Sequence, residues 1–362
     1  MKLFRCQACG AVVYFENRTC GRCGHRLGYL PELQTPSALR PADESLWTPL
    51  AGEGGVRRFC ANAKPDACNW LTQRGSDEPF CLACRHNDTI PDLSAPKNLE
   101  AWRDLELAKH RLFYSLLRWK LPLLTRAQDP EHGLVFKFLD DPPAAGPKVM
   151  TGHDNGVITI ALAEADPAER ERRRSEMAEP YRTLLGHFRH EVGHHFWDVL
   201  VRDGGRLDAF RALFGDERQD YGEALERHYQ DGPPQAWGQR FVSAYATAHP
   251  WEDFAEAWAH YLHIVDTLDT AASFGLRIEP PVDSGGEHSA KVDFDPYVDG
   301  SMVDIMDRWT PFVVAMNSIN RSMGRPDLYP FVLAPAVVEK LGFVHDLIRR
   351  IGAERTAGAS CS

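Results

Sequence analysis

Eight of the chain's nine cysteines fall within its first 84 residues. Cys6-x2-Cys9 and Cys20-x2-Cys23 are two knuckles ten residues apart. Each can turn two sulfurs toward one ion, and two such knuckles close a tetrahedral site. Gly10 and Gly24 follow the second sulfur of each knuckle, where the backbone must turn tightly. This is the spacing of a zinc ribbon over residues 1–30, and it outweighs the alternative of reduced cysteines packed as small apolar side chains. Cys60, Cys68, Cys81 and Cys84 form a second set within residues 31–98, of which only the last pair is a Cys-x2-Cys knuckle. A second structural zinc is expected there, with His86 as a possible substitute ligand. Closed four-sulfur sites fold a module and leave no position for chemistry.

Compartment and charge narrow the partners. The opening MKLFRCQACG has no apolar h-region, so no export signal is expected. No apolar run reaches the about 18 residues of a membrane span. A cytoplasmic protein follows as the expectation, and in a reducing compartment thiols favour metal over disulfides. The 41 basic and 51 acidic residues leave a net charge of −10. Residues 1–86 carry 11 Lys/Arg against 8 Asp/Glu, or +3. Two four-thiolate zinc sites at about −2 each bring that module to about −1. Phosphate binding needs the opposite balance, so no nucleic-acid partner is expected, and the ribbon is read as a protein-binding or lid element.

After a linker at 87–98 (NDTIPDLSAPKN), the pattern changes to long amphipathic helices over residues 99–362. Helices are expected at 99–120, 167–203 (split near Pro180), 251–271, 302–323 and 335–351 from apolar spacing. LVFKFL at 134–139 and VITIAL at 157–162 read as strands. The fold class is therefore α+β: a mainly helical domain with a small sheet behind a small zinc-binding module. The tail TAGASCS, with Cys361, is expected to be disordered and is assigned no role.

His190-Glu191-Val192-Gly193-His194 is an HExxH motif. On a helix, residues i and i+4 share a face, so both imidazoles can reach one zinc. Glu191 lies beside that ion, placed to take a proton from the attacking water. The flanks YRTLLGHF and HFWDVLV are apolar at helical spacing, and a buried His-Glu-His cluster needs a partner for its polar groups. A catalytic zinc needs a third protein ligand and one open position. The metzincin solution is excluded, because its third histidine would fall at Leu200. A carboxylate from another helix remains, and the best candidate lies in His249-Pro250-Trp251-Glu252-Asp253-Phe254-Ala255-Glu256. Two carboxylates one turn apart on so apolar a helix are costly unless paired or metal-bound. Glu252 suits the ligand position. Glu256 suits the acceptor of a ligand histidine's outer N–H.

HEVGH with a distant EDFAE resembles the gluzincin metallopeptidases, and among them the lethal-factor-type and Pro-Pro endopeptidases. Those enzymes open an E-x-x-A-E helix with the glutamate ligand and carry a catalytic tyrosine seven residues earlier. By that resemblance Tyr245, in FVSAYATAHPWEDFAE, would donate to the oxyanion. Taken whole, from the first knuckle through HYLHIVDTLDTAASFGL, the sequence is similar to bacterial zinc-binding metallopeptidases with an N-terminal zinc ribbon. The resemblance implies a zincin-like domain, one catalytic zinc besides one or two structural ones, and hydrolysis of a peptide or protein substrate. The 58 residues between His194 and Glu252 exceed the thermolysin-type spacing, so no substrate pocket is carried over. VITIAL would be an edge strand above the cleft, to which an extended peptide could add.

Other polar residues carry weaker expectations. His195 points about 100° from His194 around the helix and is not read as a ligand. His187, His249, His260 and His263 are read as ordinary partly buried or surface histidines, and Asp198 as a possible acceptor behind the zinc ligands. Two rival classes use the same residues. One is a catalytically silent zinc-ribbon adaptor, and the other is a thiol redox sensor built on the N-terminal cysteines.

Overall fold

The structure is a computed structural model that describes residues 2–52, 55–142, 148–176 and 183–359. Cys361 and the expected helix break at Pro180 lie outside the described residues. Contacts divide the chain into two units: residues 1–118 with 122–170, and residues 119–121 with 171–362.

The first unit begins with two small antiparallel sheets. β1 (Phe4–Arg5) pairs with β2 (Val12–Val13), and β3 (Leu27–Leu30), β4 (Thr35–Pro41) and β5 (Trp47–Pro49) form a three-stranded sheet. Sheets this short cannot bury much apolar surface. Their core is correspondingly built on the thiols: Cys6 and Cys20 are buried among Val13, Leu27 and Ala38. Next come β6 (Asn87–Thr89), α1 (Pro96–Arg118), β7 (Val135–Leu139), β8 (Gly152–Asp154) and β9 (Val157–Ala161).

These four strands form one sheet in the order β6-β7-β9-β8, with β6, β7 and β9 parallel and β8 antiparallel. The sequence places VITIAL at an edge, and the sheet corrects that reading. β9 is paired on both sides, and β8, not β9, ends the sheet. Burial explains the apolar run: Phe136, Phe138, Ile158 and Ile160 are fully buried, as interior strands require. Helix α1 meets this core through Phe113, whose ring lies 6.1 Å from that of Phe136, and its Trp102, Leu105 and Leu112 are buried as well.

α2 (Pro167–Glu176) spans the division between the units. The second unit is helical: α3 (Leu184–Phe196), α4 (Leu207–Phe214), α5 (Tyr221–Asp231), α6 (Pro250–Ser273), α7 (Met302–Ser322) and α8 (Pro335–Ala359). A short ribbon, β10 (Arg277–Ile278) with β11 (Ala290–Lys291), joins α6 to α7. α6 is buried on nearly every side because α3, α4, α7 and α8 all pack on it. That is the fate of a helix apolar all round. Its few charges are paired: Lys340 of α8 donates to Asp253 at 2.6 Å, and Arg189 of α3 to Asp266 at 2.6 Å. Among the described residues, no helix is long and apolar enough to cross a membrane.

Candidate metal centres

α3 starts at the Thr183 hydroxyl, which accepts from the Gly186 amide. This cap satisfies one of the helix's free N–H groups. The HEVGH motif then lies in the last turns of α3, facing α6. Gly193 is what lets the two helices meet. A Cβ placed there would stand 3.1 Å from Ala255 Cα and 3.3 Å from Trp258 Cβ. α6 begins at His249, whose ring accepts from the Trp251 amide, with Pro250 in the first turn. Glu252 therefore occupies the first turn of α6, where the helix dipole favours a negative charge.

Across this close contact three side chains converge. His190 Nε2 lies 3.0 Å and His194 Nε2 3.5 Å from Glu252 Oε2. The donor atoms of His190, His194 and Glu252 all fall within 4.8 Å of one another. Glu252 is fully buried. Burial alone would raise its carboxyl, but the imidazoles of His194 and His190 hold it well below the usual carboxylate range. Conversely, burial works against charge on His190, while Glu252 and Glu256 raise it well above an ordinary histidine.

Glu256, one turn along α6, meets His190 Nδ1 at 2.8 Å. Ser243 holds its other oxygen at 2.6 Å. Despite its burial, these partners pull Glu256 down to about 2. A carboxylate on Nδ1 fixes the ring with Nε2 toward Glu252, the outer support of a metal-binding histidine. Two imidazole nitrogens and one carboxylate oxygen, so supported, fit a zinc ion with one position left open. Glu191 is almost buried beside them, and that burial raises its carboxyl. Tyr245, in a short 3-10 turn, has its ring 5.9 Å from the His190 ring. Burial, then the charge on Glu252, pushes its hydroxyl well up, so it stays a donor.

Two members of this site carry no signal in the sequence. Tyr221, the first residue of α5, donates to Glu252 Oε1 at 2.6 Å. Ser243 is the second. Neither stands at a motif spacing from the residue it touches, so only the tertiary fold brings them in. The other polar residues have local partners. Asp198 accepts from Arg202 at 2.7 Å, within a π-helical turn that follows α3. His260 meets Tyr329 at 2.6 Å, and His263 meets Arg189 at 2.5 Å.

The cysteine sets also gather. Cys6, Cys9, Cys20 and Cys23 form one group, and Cys60, Cys68, Cys81 and Cys84 another, fully buried one. Gly10 and Gly24 have φ of +73° and +74°, the left-handed turns their spacing implies. His86 does not join the second group; its Nδ1 meets the Leu134 carbonyl at 2.8 Å. Instead Glu106 and His110 of α1 stand against Cys84.

A family model described as "Putative zinc-binding metallo-peptidase" matches residues 98–347, and one described as "zinc-ribbon domain" matches residues 3–95. The chain belongs to this metallopeptidase family. Both histidines of the HEVGH motif and the Glu252 helix lie inside the first match, and all eight N-terminal cysteines inside the second. Proteins of Mycobacterium tuberculosis and Mycobacterium bovis, each described as uncharacterized, are 42% identical over 352 residues. The alignments cover 97% of this chain and 96% of theirs. No solved structure matches. The family and the thiol groups together support zinc binding by this metallopeptidase relative.

Proposed function

We propose that the chain is a zinc-dependent peptidase of gluzincin type, with a zincin-like site resembling that of the lethal-factor and Pro-Pro endopeptidases. The supporting observation is the meeting of His190, His194 and Glu252 donor atoms within 4.8 Å, beside a buried Glu191. His190, His194 and Glu252 would hold the ion, and Glu256 would orient His190. Bound there, zinc supplies Lewis acidity, which acidifies an attacking water and polarises a scissile carbonyl.

The chain's own groups complete the reaction. Glu191 accepts the water's proton and returns it to the leaving amine. Tyr245 donates a hydrogen bond to the oxygen on which charge develops. The substrate is a peptide or protein, and the cysteine sites are structural.

The test is hydrolysis of a peptide library by the full chain, with zinc counted alongside. Glu191→Gln is expected to keep its zinc and lose about 10²–10⁴-fold in turnover, the usual worth of a positioned base. Glu252→Ala is expected to lose one zinc per chain and keep those on cysteine. Full activity in Glu191→Gln rejects the mechanism. Unchanged zinc in Glu252→Ala rejects the ligand set. A wild-type chain that binds zinc at this site and cleaves nothing in the library favours the silent adaptor.

A further inference from the structure

Ser243 and Tyr245 sit on the connection between α5 and α6, whose regular structure is two 3-10 turns, Trp237–Gln239 and Tyr245–Thr247. Side chains on such a connection are placed less precisely than those on a helix. Glu252, by contrast, is set by the first turn of α6. Tyr245 can serve a reacting carbonyl only if the connection keeps a fixed distance from that turn.

A buried cation spans the two. Lys340 of α8 is 5% exposed, and its ammonium donates to the Arg240 carbonyl at 2.7 Å and to Asp253 Oδ2 at 2.6 Å. It also stands 4.2 Å from the centroid of the Phe241 ring. Three diverging N–H groups let one ammonium meet a carbonyl, a carboxylate and a ring face together. Residues 240 and 253 bracket a stretch that contains Ser243, Tyr245 and Glu252, and Asp253 directly follows the glutamate. A single side chain thus closes both ends of the segment that carries the tyrosine and the carboxylate.

Packing alone does not account for a lysine at this place. A buried ion pair is commonly no more stable than apolar side chains of the same volume. What the ammonium adds is direction, because it fixes a backbone carbonyl of the connection against the start of α6.

We propose that Lys340 is a positioning residue, a clasp that holds the 240–249 connection against α6 and so sets Tyr245 over the His190/His194/Glu252 site. The catalytic consequence rests on the peptidase reading, whereas the clasp itself does not.

Lys340→Met in the full chain tests it, made alone and together with Asp253→Asn, which relieves the buried carboxylate that the single change would strand. The first measurement is amide hydrogen exchange at Ala246, Thr247 and Ala248, whose amides are bonded within the connection. Their protection is expected to be lost while α3 and the later turns of α6 keep theirs. The second is turnover per bound zinc, expected to fall about 10–100-fold, as a misplacement near 1 Å does. In a Tyr245→Phe background the same change is expected to cost little more, because the clasp acts through that tyrosine. Unchanged exchange at the three amides overturns the clasp, whether or not the chain is a peptidase. Equal losses of turnover with and without Tyr245 mark a merely structural lysine and overturn the positioning role. A wild-type chain that cleaves nothing rejects the peptidase reading, and the exchange result then decides the clasp by itself.

Discussion

Glu252 uses its two oxygens differently. Oε2 faces the two imidazoles, and Oε1 accepts from Tyr221. The Tyr221 hydroxyl therefore fixes which oxygen is offered to the ion, whereas Tyr245 makes no such bond to Glu252 among the described residues. The two phenols should fail in different ways. Tyr221→Phe is expected to weaken zinc binding at this site about 10–100-fold, as losses of outer support do, with turnover per bound zinc nearly kept. Tyr245→Phe is expected to lower turnover at full zinc occupancy. Competition with a zinc chelator and kcat per bound zinc separate the two, and a Tyr221→Phe chain with unaltered affinity would deny it the supporting role. The sequence shows the imidazoles and both glutamates because helical spacing of four puts each pair on one face. It is silent on Tyr221, which reaches Glu252 across 31 residues by folding alone.

At the scale of elements, the site exists because α3 and α6 approach closely. Gly193 sits at their contact, and alanine there would have to displace backbone at Ala255 or the Trp258 side chain. In a helix interior, glycine to alanine normally gains about 0.5–1 kcal/mol. Overpacking a filled contact costs about 1–3 kcal/mol. The clash should win, so Gly193→Ala is expected to lower stability and to weaken zinc binding at the His/Glu site by parting its donors. Gly238, where an added Cβ would meet nothing within 4 Å and φ is not left-handed, is the control expected to change little. Denaturant midpoints compare the two, and a stabilised Gly193→Ala would refute the close-contact argument. The long helices themselves are legible from apolar periodicity, and β7 and β9 from their β-branched and aromatic runs. Strand neighbours are not. Alternation reports which face is buried, whereas VITIAL's place between β7 and β8 depends on the path of the chain. The docking of His110 and Glu106 of α1 against the second thiol group is hidden for the same reason.

For the molecule as a whole, burial divides the three donor groups. Cys6, Cys20, Cys60, Cys68, Cys81 and Cys84 are each at most 2% exposed. The ligand imidazoles keep more solvent, with 14% of the His190 side chain and 16% of the His194 side chain exposed. The stakes of metal loss differ as well. The first thiol group borders sheets of two and three short strands, and the second lies in short 3-10 turns and loops, so the folding energy of both must come largely from the metal. The His/Glu site sits between long helices that pack through large apolar faces and would survive its loss. Stepwise chelation of the full chain should therefore remove about three zinc ions in a fixed order, three-ligand site before four-ligand sites. Hydrolysis is expected to fall with the first ion while helical circular dichroism holds. Thiol reactivity is expected to rise only with the later ions, together with loss of structure in the N-terminal sheets. Thiols that titrate before hydrolysis falls would show that the cysteine metals are the loosely held ones, and the structural role assigned to them would fail.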